Sequence, residues 1–372
     1  MTFRVLTGML AVLVSLGLSA RADTVFVKGR EKPLEKVTIK SEDAKNVVVT
    51  IIAGKKKGDE IIPSVDIADI VYYDDIRPLD LRNGVYKAAM DAEKDLDSED
   101  SVKRKKALGV VIAAYTQTLK EMKRDTKPQT NSARHLEYKL AVLLLKGGND
   151  EVTLDRVMTR LKAFAKDHRD SWQINHVFPM MAQIQMESKD WKEASKTFED
   201  MSKMEVFSME VRREAKLMLV TVAVRAKDMD LANKQLDALD KESKDNPVFT
   251  SRVQMARAEV LVGLKQMKEA IALLQKIVKS NSDRQTMALA HNTLGECLYK
   301  EEKYGEARWE FLYVDTIYNQ DKGQHAKALY YLWKTFEHLP ADGERAKECR
   351  DMLDGPQFAG TEYQKLAKSQ TK

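Results

Sequence analysis

The side chains with the most chemical reach in this 372-residue sequence are six histidines, two cysteines and a concentration of methionines. His135, His168, His176, His291, His325 and His338 stand far apart. None lies at metal-ligand spacing from another histidine or from a cysteine, and no His-Glu-x-x-His motif occurs. The Gly-x-Ser-x-Gly elbow, the P-loop and the dinucleotide fingerprint are also missing. Gly54-Lys55-Lys56-Lys57-Gly58 has the charge of a phosphate loop but neither its spacing nor the Ser/Thr that must follow. It is expected to be a charged hairpin tip. Eight of the 17 methionines fall between Met180 and Met229, and converging thioethers would bind copper(I). Met181, Met201, Met218 and Met229 lie at or beside core positions, however, where methionine is an adaptable filler. Carboxylates are too many and too dispersed to single out an acid–base pair. The chain is therefore expected to bind rather than catalyse, with no catalytic residue, no metal and no cofactor.

Charge excludes another class of function. There are 62 Lys and Arg against 57 Asp and Glu, a net charge of +5. That balance predicts no nucleic-acid binding. The densest basic cluster, Lys103-Arg104-Lys105-Lys106, is read as a solvated helix face, although cations near a helix N-terminus are mildly unfavourable.

Residues 1–22 have the form of a secretory signal peptide. Arg4 supplies the charged start, residues 5–18 are apolar, and Ala20-Arg21-Ala22 offers small residues around a cut after Ala22. At about 1.5 Å per residue, that apolar run falls short of a hydrocarbon core about 30 Å thick. No later stretch is apolar enough to span a bilayer, so no transmembrane segment is expected after cleavage, and the mature chain is expected to be periplasmic or secreted. Cys297 and Cys349 are expected to be separate thiols, because their helices are not direct neighbours in the stack described next.

The elements that position all of this fall into three parts: 23–77, 78–170 and 171–372. In the first, runs at 23–27, 34–40, 47–53, 60–63 and 67–72 are rich in β-branched residues and separated by turn-prone segments. They predict a small five-stranded β-barrel-like domain. Residues 74–78 form the joint. Helices follow at about 80–96, 100–123, 132–147 and 151–168, as degenerate pairs. After Ser171, alanines recur at near-equal intervals, at Ala194, Ala232, Ala270, Ala307 and Ala346. Each interval holds two amphipathic helices, so this part is a helical repeat array. In the clearest repeat Gly295 and Leu298 lie on the first helix, and Tyr304, Ala307, Phe311 and Val314 on the second. Gly295 and Ala307 are small where two helices must approach. Trp333 occupies the small-residue place in the last repeat, which predicts looser pairing or a cap.

The Gly295-to-Phe311 pattern resembles the tetratricopeptide repeat, over roughly 171–353, with the usual period of 34 stretched. The N-terminal segment resembles the small SH3- or Sm-like β-domains of some secreted bacterial repeat proteins. Together these resemblances imply a mainly α fold, an α-solenoid of tetratricopeptide-like hairpins behind a small β-domain. They also imply a cell-envelope scaffold for protein–protein interaction, binding a protein or peptide in a concave groove lined by first helices. By register the groove residues become Gln183, Glu187, Thr221, Arg225, Arg252, Glu259, Asn292, Glu296, Tyr299 and Lys300. The family's C-terminal carboxylate clamp is absent, since its positions hold Pro179, Leu217, Met255 and Asn292, then Gln183, Thr221, Glu259 and Glu296. The alternative is an envelope polymer held by the β-domain, whose available groups are Phe26, Tyr72, Tyr73 and the lysines at 55–57. Among the late aromatics, Phe311, Trp333 and Phe336 are expected in the core, with Tyr330 and Tyr331 partly available.

Overall fold

The computed structural model describes residues 23–51, 58–72, 76, 79–124, 131–148, 150–244, 246–280 and 283–370. The signal-like segment, the lysines at 55–57 and most of the joint at 74–78 lie outside the described residues. The chain forms two compact units, the first ending at Arg213 and the second beginning at Glu214.

The first unit opens with five antiparallel strands: β1 (Asp23–Val27), β2 (Leu34–Glu42), β3 (Asn46–Ile51), β4 (Gly58–Pro63) and β5 (Ile67–Val71). Their order in the sheet is β4-β3-β2-β1-β5, with a single 3-10 turn, Ser64–Asp66, joining the two edge strands. Alternation selects the buried face. Val25, Val37, Val47, Val49, Ile62, Ile67 and Ile70 are all buried, and Val37 pairs with Ile51 as Val25 pairs with Ile70.

The helical part begins with α1 (Leu79–Leu81), which runs through a π turn into α2 (Lys87–Glu93). Then come α3 (Ser101–Met122), α4 (Asn131–Gly147), α5 (Glu151–Asp167), α6 (Ile174–Glu187) and α7 (Trp191–Lys203). The basic cluster does sit in the first turn of α3, and local contacts offset its charge. The Asp100 carboxylate accepts from the Val102 and Lys103 amides, Lys103 pairs with Asp95 at 2.8 Å, and Arg104 donates to the carbonyls of Ser98 and Glu99.

The sheet is fixed to these helices by polar contacts. Trp172 Nε1 donates to the Tyr72 hydroxyl at 2.9 Å, and Asn175 Nδ2 to the Ala44 carbonyl at 2.9 Å. His176 Nε2 lies 2.8 Å from the Ile67 carbonyl, and Arg134 pairs with Glu42. Deeper in, Lys139 of α4 reaches Glu93 at 3.0 Å and Asp69 of β5 at 3.6 Å, with His135 3.2 Å from the other Asp69 oxygen. Burial alone would raise the Asp69 carboxyl, yet Lys139 and His135 hold it well below the usual carboxylate range.

The second unit is built from helical hairpins. Its helices are α8 (Met209–Arg225, which starts just before the division), α9 (Met229–Ser243), α10 (Pro247–Gly263), α11 (Met267–Ser280), α12 (Arg284–Lys300), α13 (Tyr304–Thr316), α14 (Lys322–Glu337) and α15 (Gly343–Asp354). A final short helix, α16 (Glu362–Ser369), packs on α14. The recurring alanines mark the helix crossings: Ala232, Ala270 and Ala307 are fully buried and Ala346 nearly so. Met218 is buried, and Met229 lies against Gly263, so these methionines fill the core as their spacing implied.

The period is also written in the backbone. Non-glycine residues with positive φ occur at Lys189, Lys227, Lys265 and Glu302, with φ between 58° and 63°. Each is the left-handed residue that ends a first helix. In the second unit the following amide closes the turn by bonding back into that helix: Asp228 N to Ala223 O, Gln266 N to Leu261 O, and Lys303 N to Leu298 O. Glycine is the usual occupant of that site. A side chain there costs about 1–2 kcal/mol, offset by about 0.5–1 kcal/mol of unfolded-state entropy that glycine forfeits. Lys265→Gly is therefore expected to stabilise the second unit by a few tenths to about 1 kcal/mol, seen as a higher urea midpoint with an unchanged slope. A lower midpoint would show that the lysine has a role the turn does not reveal.

Trp333 corrects the expectation of loose pairing. It is buried, its indole N–H donates to Glu337 at 2.7 Å, and Arg350 of α15 lies over its ring at 5.2 Å. Arg350 is the counterpart of Phe311, and Trp333 of Gly295. The large ring has moved from the second helix to the first, and the pair remains filled.

Candidate functional site

Each inner helix of the second unit touches both flanking outer helices, so α10, α12 and α14 form one layer and α11, α13 and α15 the other. The inner layer carries a linked set of charges. Glu296 of α12 receives Lys300 Nζ at 3.0 Å from its own helix and Lys327 Nζ at 2.8 Å from α14. Burial by itself would raise the Glu296 carboxyl, but Lys327 and Lys300 bring it below its ordinary value. The Lys327 ammonium is raised in spite of burial, because Glu296, and more weakly Tyr363 and Glu259, favour its charged form. Glu259 of α10 is raised instead, chiefly by burial, with Lys327 and Arg225 opposing the shift. The row thus carries acids on α10 and α12 beside lysines on α12 and α14.

Asn292 takes a different place. It is fully buried, and its amide donates to the backbone and side-chain oxygens of Gln324 at 2.9 and 2.8 Å, which ties α12 to α14. Tyr299 packs among Tyr304, Tyr331 and His338, with ring centroids 5.3 to 5.9 Å away. Arg252 reaches Glu214 of α8 at 2.5 Å, and Thr221 bonds back to the Leu217 carbonyl. Arg225 is exposed. In the first unit Gln183 donates to Glu187 at 2.9 Å on the surface of α6. The structure thus brings Glu259, Glu296 and Lys300 into one row with Lys327, which the register missed. Lys327 lies one repeat beyond Leu289, itself one turn before Asn292, and that shift was available in the sequence. Trp333 had broken the pattern of the last repeat, so the register stopped at α12.

The row offers charged groups and hydrogen-bonding atoms. The Cys297 thiol beside it is pushed up to about 11 by burial, too high for a nucleophile. Cys297 and Cys349 are both free. Among the described residues no group of three or more His, Cys, Asp and Glu could hold a metal ion, and no helix is long and apolar enough to cross a membrane. On the β-domain, Tyr72 is buried and its hydroxyl is occupied by Trp172 and Glu42, while Phe26 is half-buried. Neither makes an aromatic platform for a polymer. Tyr73 and the lysines at 55–57 lie outside the described residues.

A five-stranded antiparallel sheet followed by paired helices that repeat at the spacing of Ala194 and Ala232 defines a helical-repeat protein of tetratricopeptide-like hairpins. The comparison with solved structures agrees at the level of the fold. A tetratricopeptide repeat protein from Parabacteroides merdae ATCC 43184 superposes with a TM-score of 0.52 at 11% identity, over 78% of this chain and 100% of that one. A Rap protein complexed with competence and sporulation factor gives a TM-score of 0.47 at 14% identity, covering 77% and 80% of the two chains. PilW, a type IV pilus biogenesis factor, gives 0.42 at 15% identity, covering 64% and 100%. No protein-family model and no curated protein sequence matches the chain.

Proposed function

We propose that this chain is a non-enzymatic extracytoplasmic scaffold that binds a protein or peptide segment along α10, α12 and α14. The observation that carries the reading is the row of Glu259, Glu296, Lys300 and Lys327. Acids on α10 and α12 beside lysines on α12 and α14 suit a chain segment with its own fixed pattern of donors and charges. The signal-like segment 1–22 supports a periplasmic or secreted site of action, with cleavage after Ala22. The fold supports a scaffold, and the high Cys297 thiol argues against covalent chemistry in the row. An envelope polymer bound by the β-domain finds less support, because Tyr72 is spent inside the fold.

The test is capture from a cell-envelope extract with the chain from Asp23 to Lys372, the form left by the proposed cleavage. Arg225 and Lys300 are exposed, so Arg225→Glu with Lys300→Gln, which sets no new carboxylate against Glu296, should leave folding intact. The expected result is a protein retained by the parent chain. Once purified, that protein should bind the double variant at least tenfold more weakly, while the unfolding midpoint stays the same. Equal affinity for both chains would remove the inner layer from the function.

A further inference from the structure

The outer layer of the second unit carries a second recognition surface. On α13 the buried stripe of Ala307, Phe311 and Val314 faces inward, and a second apolar stripe faces out. Trp309 is 56% exposed and Tyr313 46%, at i and i+4, and Ile317, the residue that caps the helix, is 45% exposed. Met352 of α15, the counterpart of Tyr313 one repeat on, is 45% exposed and extends the patch. The repeat does not require this. The places of Trp309, Tyr313 and Ile317 on α11 hold Ala272, Lys276 and Ser280. The aromatic part is also held rigidly. Tyr313 stacks on His291 at 4.9 Å, Tyr318 stacks on the same imidazole at 5.4 Å, and His291 Nδ1 lies 2.7 Å from Glu310. Fixed, exposed Trp and Tyr are the side chains that anchor protein interfaces, and a contiguous exposed apolar patch marks such a site.

The charges on either side identify the occupant. On α11 the exposed charges are Lys268, Lys276 and Lys279 against a single Glu269. On α15 the exposed charges outside any ion pair are Glu344, Glu348, Asp351 and Asp354 against Lys347, while the exposed Arg345 is paired with Asp342 at 3.7 Å. Arg345 and Asp342 apart, none of these side chains makes an ion pair among the described residues. One flank of the stripe is therefore basic and the other acidic, with uncommitted charge on both. We propose that this face binds a second copy of the chain, as a two-fold dimer about α13. A two-fold axis lying along α13 sets the α11 of one copy against the α15 of the other, basic flank on acidic flank, while the Trp309 and Tyr313 surfaces meet at the centre. An axis perpendicular to the helix would set like flanks together, which repels. The complementarity thus fixes both the partner and the arrangement, with α13 and its mate parallel. This is an isologous contact, which closes at two copies.

The test is sedimentation equilibrium of the chain from Asp23 to Lys372 at low and at physiological salt. A monomer–dimer equilibrium that weakens with salt is expected. Trp309→Glu should abolish it and leave the unfolding midpoint unchanged at concentrations where the parent is monomeric, since the side chain is on the surface. Lys276→Glu with Lys279→Glu should weaken it at least tenfold. Adding Glu348→Lys and Asp351→Lys to that chain should restore it, because each flank then meets its opposite again. A monomer at every concentration up to about 100 µM, roughly 5 kcal/mol of association, would overturn the proposal. So would a dimer indifferent to Trp309→Glu, or one that the four-fold charge exchange fails to restore.

Discussion

Lys139→Met is expected to destabilise the first unit by about 3–5 kcal/mol, the usual cost of removing one partner from a buried ionic group. Lys139 is buried, with Glu93 at 3.0 Å, Asp69 at 3.6 Å and the Tyr115 ring 5.4 Å from its ammonium. Methionine matches the stem and removes the charge, leaving two buried carboxylates without their common cation. Burial drives the Tyr86 and Tyr115 phenols well above their ordinary values, so both stay neutral at neutral pH and add no further negative charge to the cluster. Adding Asp69→Asn and Glu93→Gln to Lys139→Met should recover most of the loss, because neutral amides need no counter-ion. Urea unfolding followed by the near-ultraviolet signal of Trp172, which stacks on His135 at 6.0 Å, measures both. A loss under about 1 kcal/mol for Lys139→Met would mean that the cluster is solvated in solution.

The same cluster sets an acid limit. Asp69 is depressed in the folded state, so the unfolded chain takes up its proton first as pH falls. Its contribution is complete above the ordinary carboxylate range and declines below it. With Asp69→Asn, the fall in stability from about pH 5 toward pH 2 should be shallower than in the parent chain. Because β5 supplies Asp69 and α4 supplies Lys139, the loss should appear as release of the sheet from the helices, before the helices of that unit melt.

Much of the architecture was legible because it is local. Strand positions follow from β-branched alternation, and Val47 and Val49 turn inward as their period demands. Helix starts follow from side chains such as Asp100, Asp150, Asp283 and Asp321, each of which caps its helix. Repeat spacing follows from alanine, because only a small side chain fits where two helices cross. What depended on distant partners was hidden. Nothing near Asp69 announces Lys139, on the fourth helix further along the chain, and the Glu296 to Lys327 bridge depends on how successive hairpins stack. Asn292 was placed at a groove position and is instead consumed by Gln324. The aromatics were legible in part: Phe311, Trp333 and Phe336 are buried as expected. Both faces of α13 are apolar, so the stripe that placed Phe311 in the core did not assign Trp309, which is 56% exposed. Tyr330, expected to be partly available, is buried beside Tyr331, Trp333 and Tyr363.

Phe311→Ala should cost the second unit about 3–5 kcal/mol, the range for emptying a buried aromatic site. The reason lies in Gly295. A Cβ there would stand 2.7 Å from Phe311 Cζ, so the ring occupies the space the glycine leaves, and it also stacks on Tyr331 at 5.2 Å. The complement follows. Gly295→Ala gains about 1 kcal/mol of helix propensity but forces a ring with no free side to move, so a net loss of about 1–2 kcal/mol is expected. Gly263 is the control. Its added Cβ would meet Met229 Cε at 2.7 Å, yet that is the free end of a flexible chain, so Gly263→Ala should be neutral or mildly stabilising. In Phe311→Leu the shorter side chain removes the clash, and Gly295→Ala should then cost less than in the parent by about 1 kcal/mol or more, a coupling typical of residues in contact. Urea midpoints of the four chains close this cycle. Strict additivity would show that the two helices slide apart to admit the methyl, and that the glycine is not what seats the ring. The natural counterpart is already in the molecule. At the next hairpin Trp333 replaces the glycine and Arg350 the phenylalanine, so the sequence accepts a large side chain on the first helix only when the second gives up its ring.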